Sequence, residues 1–588
     1  MRNQEIAKIF YEIANFLRID GVDFKPYAYE KAAISLEALK EDVGDIYKKG
    51  GTKALLEISG IGKNLAEAIE EYLKNKKIKT FEEYKKKLPL KIDELLSVES
   101  LGPRKIKILY QKLGVKSLRD LEKVAKKHKV APLFGFGEKT EKNILEGIKF
   151  LKTSQGRMSI GKILPIARDV VEKLKTLKEI KQISLAGSLR RKKETIGDAD
   201  ILVASDNSEK IMDYFISLPG VKKVWAKGDT KTSVRMEAGF DIDLRVVKEK
   251  SFGSALQYFT GSKDHNIATR KIAIDKDLKL SEYGVFRGES ASWRMIAGKT
   301  EEEVYKAIGL PYIEPELREN EGEIEAALNN KLPKIIELKD IKGDLHCHSN
   351  WDGGKNSIEE MVKSAMDLGY EYIGISDHTK FLRIENGLDE NKLLKQHEAI
   401  KKINEKFEKQ KIKFRVLHGC ETNILNDGSV DIKDEVLAQL DYVIAGVHSS
   451  LKMKKKQMMA RIEKAMRNPN IDILAHPTGR IVGQRDEYQI DFDEVLKKAK
   501  ETGTILEINS YPQRLDLNDQ NIRRAKEAGV KMVINTDAHR KDQLRFMEFG
   551  VSQACRGWAE KEDIINTQPL EKLLKFFKKP SPAKRDEG

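Results

Sequence analysis

Apolar residues in the first 85 positions recur at helical spacing, with Ile6, Ile9, Phe10, Ile13, Phe16 and Leu17 on one face. Helices are predicted through this stretch. Glycine-containing turns interrupt the pattern at Ile58-Ser59-Gly60-Ile61-Gly62-Lys63 and at Val98-Glu99-Ser100-Leu101-Gly102-Pro103-Arg104-Lys105. A third follows at Phe134-Gly135-Phe136-Gly137-Glu138-Lys139. The period then shortens. Asp198 and Asp200 alternate into the apolar run Ile201-Leu202-Val203, and Asp243 lies in a second run, Ile242 to Val247. Both read as strands. Residues two apart on a strand project to one face, so Asp198 and Asp200 point together. A second strand paired beside the first adds Asp243 as a third carboxylate.

Residues 317–340 are rich in Glu and Lys, contain Pro333, and read as a linker with one short helix in GEIEAALNN. From Ile341 the pattern changes again. GDLHCHS, YIGISDHT, FRVLHGCETN, YVIAGVHSS, IDILAHPTG, TILEINS and KMVINTDAHR alternate with charged helical stretches. Strand–helix alternation predicts a parallel sheet, most simply a closed barrel. The C-terminal ends of these runs, where barrel enzymes keep their active sites, carry His346, His348, Asp352, His378, Glu421, His448, His476, Asp537 and His539. His397 falls on a helix and His418 inside a strand, and both are set apart.

These side chains suggest two chemistries. Three clustered carboxylates repel one another unless a cation lies between them. Hard oxygen ligands suit Mg²⁺, which also takes oxygens from a substrate phosphate, and two such ions clamp an in-line phosphoryl displacement. Gly187-Ser188 lets backbone approach phosphate oxygens, and Arg191 neutralises their charge. In the second half, mixed imidazole and carboxylate ligands favour Zn²⁺, Mn²⁺ or Fe over Mg²⁺. Nine ligands exceed what one ion takes and suit two or three ions. Arg480 and Arg514, near strand ends, are candidates for holding phosphate.

The net charge of +15 points to a polyanionic partner, most simply nucleic acid. The first two glycine turns resemble helix-hairpin-helix motifs, whose second-helix amides hold a DNA phosphate without reading bases. Only Cys347, Cys420 and Cys555 occur, without framework spacing, which implies a reducing, cytoplasmic compartment. No apolar run has the length of a membrane span, and the amphipathic N-terminus carries Glu5 and Glu12, unlike a signal peptide.

GSLRR, GDAD, DIDLR and YFTGSKDHN resemble the nucleotidyltransferase core of family X DNA polymerases, the group that includes DNA polymerase beta. The histidine-rich half resembles the polymerase and histidinol phosphatase (PHP) domain, which bacterial and some archaeal members carry at this position. The resemblance implies a multidomain chain: an α-helical helix-hairpin-helix N-terminal region, an α+β palm with a thumb-like subdomain, and a C-terminal α/β distorted (βα)7 PHP barrel. Expected boundaries are 1–85 and 86–150 for the two hairpin regions and 151–245 for the palm. Residues 246–316 form the subdomain that binds the nascent base pair, 317–340 the linker, 341–575 the PHP domain and 576–588 a disordered tail.

The resemblance assigns roles residue by residue. Asp198, Asp200 and Asp243 hold two Mg²⁺ ions and are the catalytic set. Gly187, Ser188, Arg191, Gly197 and Arg157 bind the triphosphate, while Tyr258, Phe259, Gly261, Asn266 and Arg270 bind the rest of the nucleotide. Lys25, Tyr29, Lys31, Gly60, Gly62, Lys63, Gly102, Arg104, Lys105 and Tyr283 contact DNA. The nine barrel residues bind two or three Mn²⁺ or Zn²⁺ ions. Ala68 stands where some members have a Schiff-base lysine, which puts lyase activity in doubt.

The expected activity is short-gap filling in base-excision-type repair, with 3′→5′ exonuclease, abasic-site endonuclease or 3′-phosphatase work in the barrel. Expected partners are gapped or nicked DNA with a 3′ primer end and a 5′-phosphate, and dNTPs, the chain acting as a monomer. Leu570, Leu573, Phe576 and Phe577 have the spacing of a sliding-clamp peptide without its glutamine, and a final barrel helix is the favoured reading. Two alternatives stay open: template-independent nucleotide addition, and a phosphatase tethered to DNA by a non-catalytic N-terminal half.

Overall fold

The computed structural model describes residues 2–577 except 23, 40, 59, 97, 99–100, 139, 143, 146–147, 149–156, 289–291 and 484. Ser59, Glu99, Ser100 and Lys139 of the hairpin turns, the expected boundary near 150 and the tail 578–588 thus lie outside the described residues.

The N-terminal helices share one apolar core. Ile6, Phe10, Ile13 and Phe16 of the helix Arg2–Asp20 are buried against the helix Lys25–Ala38 and against both hairpin regions. The helices Lys63–Asn75 and Pro103–Leu113 each begin directly after a hairpin glycine. Ala68 is buried in this core.

The palm is a five-stranded sheet in the order Gln182–Ala186, Asp198–Ala204, Asp241–Val247, Lys231–Met236, Val221–Lys227. The two aspartate strands run parallel, with Asp200 opposite Asp243 and Asp198 opposite Asp241. Parallel pairing puts partners on one face, so the expected third carboxylate is brought to the first two. The helix Ile160–Leu174 covers the other face with Ile163, Leu164 and Val170. Beyond the palm, the helices Phe252–Thr260 and Lys263–Ile274 and the strands Leu278–Ser281, Gly284–Arg287 and Arg294–Ala297 form the next unit.

Residues 317–340 are packed structure and not a spacer. Leu317, Ile324 and Ala327 enter the core of the preceding unit. Arg318 is fully buried, and its guanidinium donates to Glu301 at 2.6 Å. The stretch reads as a linker from sequence because its polar residues find partners distant in the chain, as Glu323 does in His265 and Glu319 in Arg556.

The C-terminal half is a ring of parallel strands. Gly343–Cys347, Tyr372–Ile375 and Arg415–His418 form one sheet, and Glu421–Asn423, Ile444–Gly446, Ile473–Leu474, Ile505–Asn509 and Met532–Asn535 form the other. The His378–Glu421 and Cys347–Ala538 bridges join them. The seven apolar runs of the sequence form these eight strands, the third run supplying both Arg415–His418 and Glu421–Asn423. Phe577 is buried and stacks on Tyr442 at 5.5 Å, while Leu573 joins the same cluster. Packing thus extends past the expected tail boundary at 576, and the final apolar residues serve the barrel. Among the described residues no helix is long and apolar enough to cross a membrane.

Candidate active sites

In the palm, burial with the neighbouring Asp198 and Asp243 pushes the Asp200 carboxyl up to about 7. Burial, Asp243 and Asp241 raise the Asp198 carboxyl as well. Like charges this close raise one another's pKa, and a cation between them would relieve the repulsion. Lys231 reaches Asp243, which also accepts from Ser233 Oγ at 2.5 Å. Asp241, a fourth acid on this face, is neutralised by Arg235 and by Trp225 Nε1 at 2.9 Å. The donors fit a hard divalent cation: they are all carboxylate, share a face and include two acids with raised pKa. Among the described residues, however, groups of three ligand atoms within 4.8 Å occur only in the barrel.

Gly187 begins a helical turn, Gly187–Arg190, with φ of +61°. A Cβ there would meet Asp200 Oδ2 at 2.2 Å, so only glycine lets this backbone lie against the acid. Gly197 lies beside the Arg157 guanidinium, which is tied to Thr195. Arg191 departs from its expected role. Its Nε donates to Glu319 at 3.0 Å and its Nη1 to the Thr260 carbonyl, so in this conformation it is engaged within the protein. Asn266 is likewise internal, donating to the Tyr258 carbonyl at 2.7 Å and accepting from Gln257. Arg245, given no role from sequence, lies 4.4 Å over the Phe259 ring, and its buried Nε has no hydrogen-bond partner. Arg245, Phe259, Tyr283 and Trp293 line a cleft of about 560 Å³ between palm and thumb-like unit, with Tyr283 exposed at its rim. The Nε of Arg270 is also buried without a partner.

The barrel site is far more closed. Glu421, 1% exposed, is its focus. Its Oε1 lies 3.1 Å from His448 Nε2 and 3.0 Å from His476 Nε2, and its Oε2 lies 3.0 Å from His378 Nε2 and 3.4 Å from His346 Nε2. Asp537 Oδ1 lies 3.4 Å from His348 Nε2 and 3.7 Å from His539 Nδ1. All nine expected ligands fall within groups of ligand atoms, three of which share His348, while Glu421, His448 and His476 form a separate one. Burial alone lowers the His346 basicity, but Glu507, Glu421 and Asp537 outweigh it and hold the group well above its usual range. For His378, burial is outweighed by Glu421 and Asp352, to about 10. His539 is lowered to about 4 by burial and by His348.

The donor set fits cations. His346 Nε2, His348 Nε2 and His476 Nδ1 are buried with no hydrogen-bond partner, which is costly unless an ion takes the partner's place. Asp352 belongs to a group of possible ligand atoms with His348 and Asp377, and it also contacts two imidazoles. Its Oδ2 lies 2.9 Å from His348 Nδ1 and 2.8 Å from His378 Nδ1, so it orients two imidazoles behind the Glu421 focus. Two further acids were missed. Glu507 lies 2.7 Å from His346 Nδ1 and fixes that ring's tautomer, and Asp377 closes a group with His348 and Asp352. Glu507 sits mid-strand in TILEINS; an acid inside an apolar run was the available signal.

A model of the DNA polymerase beta thumb matches residues 255–319, and a PHP domain model matches residues 344–511. A helix-hairpin-helix model matches residues 1–78, and a tandem helix-hairpin-helix model matches residues 92–149. The chain is 39% identical over 582 residues to the DNA polymerase/3′-5′ exonuclease PolX of Bacillus subtilis, covering 98% of this chain and 100% of that one. The chain belongs to the family X DNA polymerases. A probable phosphatase of Clostridium acetobutylicum is 31% identical over 210 residues, 33% of this polymerase and 78% of that protein. One from Caldicellulosiruptor bescii is 28% identical over 247 residues, 40% of this polymerase and 96% of that protein.

In this family X polymerase the expected DNA contacts cluster in the helical region. Gly62 and Gly102 cap their helices without a side-chain hydrogen bond, which leaves first-turn amides free for a phosphate. Lys63 and Arg104 are exposed beside them. Lys31 lies against Gly60, where a Cβ would come within 3.1 Å of Lys31 Cγ. Lys25 is exposed, and Tyr29 packs edge-on to Phe10 at 5.3 Å. Lys105 Nζ sits 5.7 Å over the Phe136 ring of the third glycine turn, joining two hairpins.

Arg480, a candidate phosphate contact, is engaged instead with the Leu515 carbonyl and with Glu194 of the palm at 2.6 Å. Arg514 stands at the mouth, 3.5 Å from Asp537.

Proposed function

We propose that this polymerase fills short gaps in DNA and prepares the 3′ ends it extends. The observation that carries this reading is the coexistence of two unlike donor sets. One is a carboxylate face beside a phosphate-approaching glycine turn, and the other a buried imidazole–carboxylate cluster. The bound ions, Mg²⁺ in the palm and Mn²⁺ or Zn²⁺ in the barrel, would polarise phosphoryl oxygens and lower the pKa of water.

The remaining chemistry falls to the protein. Asp198, Asp200 and Asp243 set the position of the primer 3′-hydroxyl against the α-phosphate. The Gly187–Ser188 amides meet the triphosphate, and Arg191 joins them on leaving Glu319. Tyr258, Phe259 and Gly261 bound the sugar, and the two hairpins grip DNA phosphates on either side of the gap. Lys25, Tyr29 and Lys31 face the 5′-phosphate, and Ala68, which has no amine, cannot itself serve as the Schiff-base residue.

In the barrel, Glu507 and Asp352 hold His346, His348 and His378 in fixed orientations, and Arg514 faces the phosphate at the mouth. Removal of a blocking 3′-phosphate or damaged 3′-nucleotide yields the 3′-hydroxyl that the palm uses. The similarity to probable phosphatases supports phosphomonoesters among the barrel's substrates.

A gapped duplex with a 3′-phosphate primer, incubated with dNTPs and Mg²⁺ or Mn²⁺, tests both sites in one tube. Phosphate release followed by extension is the expected result. Extension products that retain the phosphate, or a primer that is never unblocked, would refute the coupled reading.

A further inference from the structure

Two cavities adjoin at the barrel mouth. The larger, about 290 Å³, lies over the imidazole cluster and is bounded by Glu421, His448, His476 and Arg485. The smaller, about 270 Å³, is bounded by Ile481, Tyr511 and Gln513. Arg514, Asp537 and His539 form their shared wall. Nothing in the hydrolytic chemistry above uses the second cavity.

Its walls suit a nucleoside. Tyr511 offers an aromatic ring, held edge-on by Phe546 at 5.4 Å. Gln513 is exposed and offers amide donors and an acceptor. Ile481 supplies an apolar side.

The loop that carries them is rigid. Asp516 accepts from the amides of Thr478 and Gly479 at 3.0 and 2.8 Å, and Val482 N donates to the Gln513 carbonyl at 2.7 Å. Ser159 Oγ of the palm donates to the Pro512 carbonyl at 2.7 Å. Leu515 is fully buried in the palm's own apolar core. A loop fixed from both sides holds its side chains ready and lowers the ordering cost of binding.

We propose that this second cavity seats the terminal nucleoside of a 3′-ended DNA strand, stacked on Tyr511, while Arg514 holds the phosphate that joins it to the strand. The proposal rests on the hydrolytic reading of the barrel. In the reaction it serves, water oxygen bonds to the terminal phosphorus and the bond from phosphorus to the preceding 3′-oxygen breaks. The water proton ends on that 3′-oxygen. A nucleoside 5′-monophosphate departs with its base in the cavity, and the shortened strand keeps a 3′-hydroxyl. A strand ending in a 3′-phosphate has no group to place there, since phosphorus is its last atom with substituents.

That difference supplies the test. Two oligonucleotides of one sequence, ending in a 3′-hydroxyl or in a 3′-phosphate, are assayed with full-length wild type, Tyr511→Ala and Tyr511→Phe. Tyr511→Ala is expected to raise KM for nucleotide release about tenfold, within the cost of losing base–aromatic stacking. Phosphate release is expected to stay within about twofold of wild type, since no stacking is lost there. Tyr511→Phe keeps the ring and is expected to behave as wild type for both products. Primer extension reports folding, because the loop is seated in the palm. An equal loss of both products, or no loss of either, overturns the subsite. So does a wild-type protein that releases phosphate but no nucleotide. A wild-type protein that releases neither overturns the hydrolytic reading itself, and the subsite with it.

Discussion

The two metal-type centres of this chain differ in how much of each is assembled by the protein alone. The barrel's ligand atoms already converge on Glu421 and Asp537, and Glu507 and Asp352 hold three of the imidazole Nδ1 atoms from behind. The palm has three acids on one face, two of them with raised pKa, while Lys231 occupies the third. A buried imidazole set is preorganised by its surroundings. An open carboxylate set is left for substrate and ions to complete together, as suits a site where the triphosphate brings its own Mg²⁺. One centre is therefore expected to keep its ions through purification, and the other to acquire them at each turnover.

The sharpest break of this comparison is removal of one donor set at a time. Asp198→Ala with Asp200→Ala is expected to lower extension at least about a thousandfold while 3′-phosphate release persists. Primer-extension and phosphate-release assays on the same preparation read both. His346→Ala with His348→Ala is expected to do the reverse, and loss of both activities in either variant would mean a shared centre. A smaller effect is expected from Glu507→Gln, which leaves every ligand in place and frees the His346 ring. Hydrolysis should fall about 10–100-fold and metal content drop in elemental analysis, with extension unchanged.

The acid cluster gives a pH test confined to the palm. With Asp200 held up to about 7 by burial and by Asp198 and Asp243, cation binding must displace a proton. The Mg²⁺ concentration for half-maximal extension should rise about tenfold per unit as pH falls below about 7, and level off above it. Stability follows the opposite course. The folded metal-free protein keeps a proton there that the unfolded chain loses near pH 4. Its contribution is thus favourable at low pH and is lost as pH rises from about 4 to about 7, which thermal melts in EDTA would register.

The smallest effect expected crosses between the centres. Gly161 lies in the palm, yet a Cβ there would meet Pro512 Cβ at 2.2 Å, behind the barrel's mouth. Gly161→Ala should displace the loop that carries Tyr511 and Arg514. A loss of hydrolysis of about several-fold with extension near wild type is expected, at a stability cost of about 1–3 kcal/mol.

The chain's chemistry was most legible where it is local. Asp198 and Asp200 are two apart on a strand, and each barrel ligand ends a short apolar run, so periodicity alone places them. Glu421 stood out for the same reason. What stayed hidden depends on partners distant in sequence. Arg191 meets Glu319, and Glu319 meets Arg556 of the barrel at 2.9 Å, so a stretch that reads as a charged spacer is a junction. Asp241 reads like its neighbour Asp243 but is consumed by Arg235, a cross-strand pairing that needs the register. Asp352 also meets the Nδ1 atoms of His348 and His378, contacts that need the folded site to be seen. Glu507 was masked by the apolar run that holds it.

Leu515 has one more consequence. Because this barrel residue, with Phe549, completes the palm's apolar interior, the two enzymes share an inner wall. Severing the chain between them would uncover oily surface on both fragments, beside the very opening through which one of them works. Their union in a single polypeptide is thus a matter of solubility as much as of shared substrate, and neither half is a module to be borrowed without its neighbour.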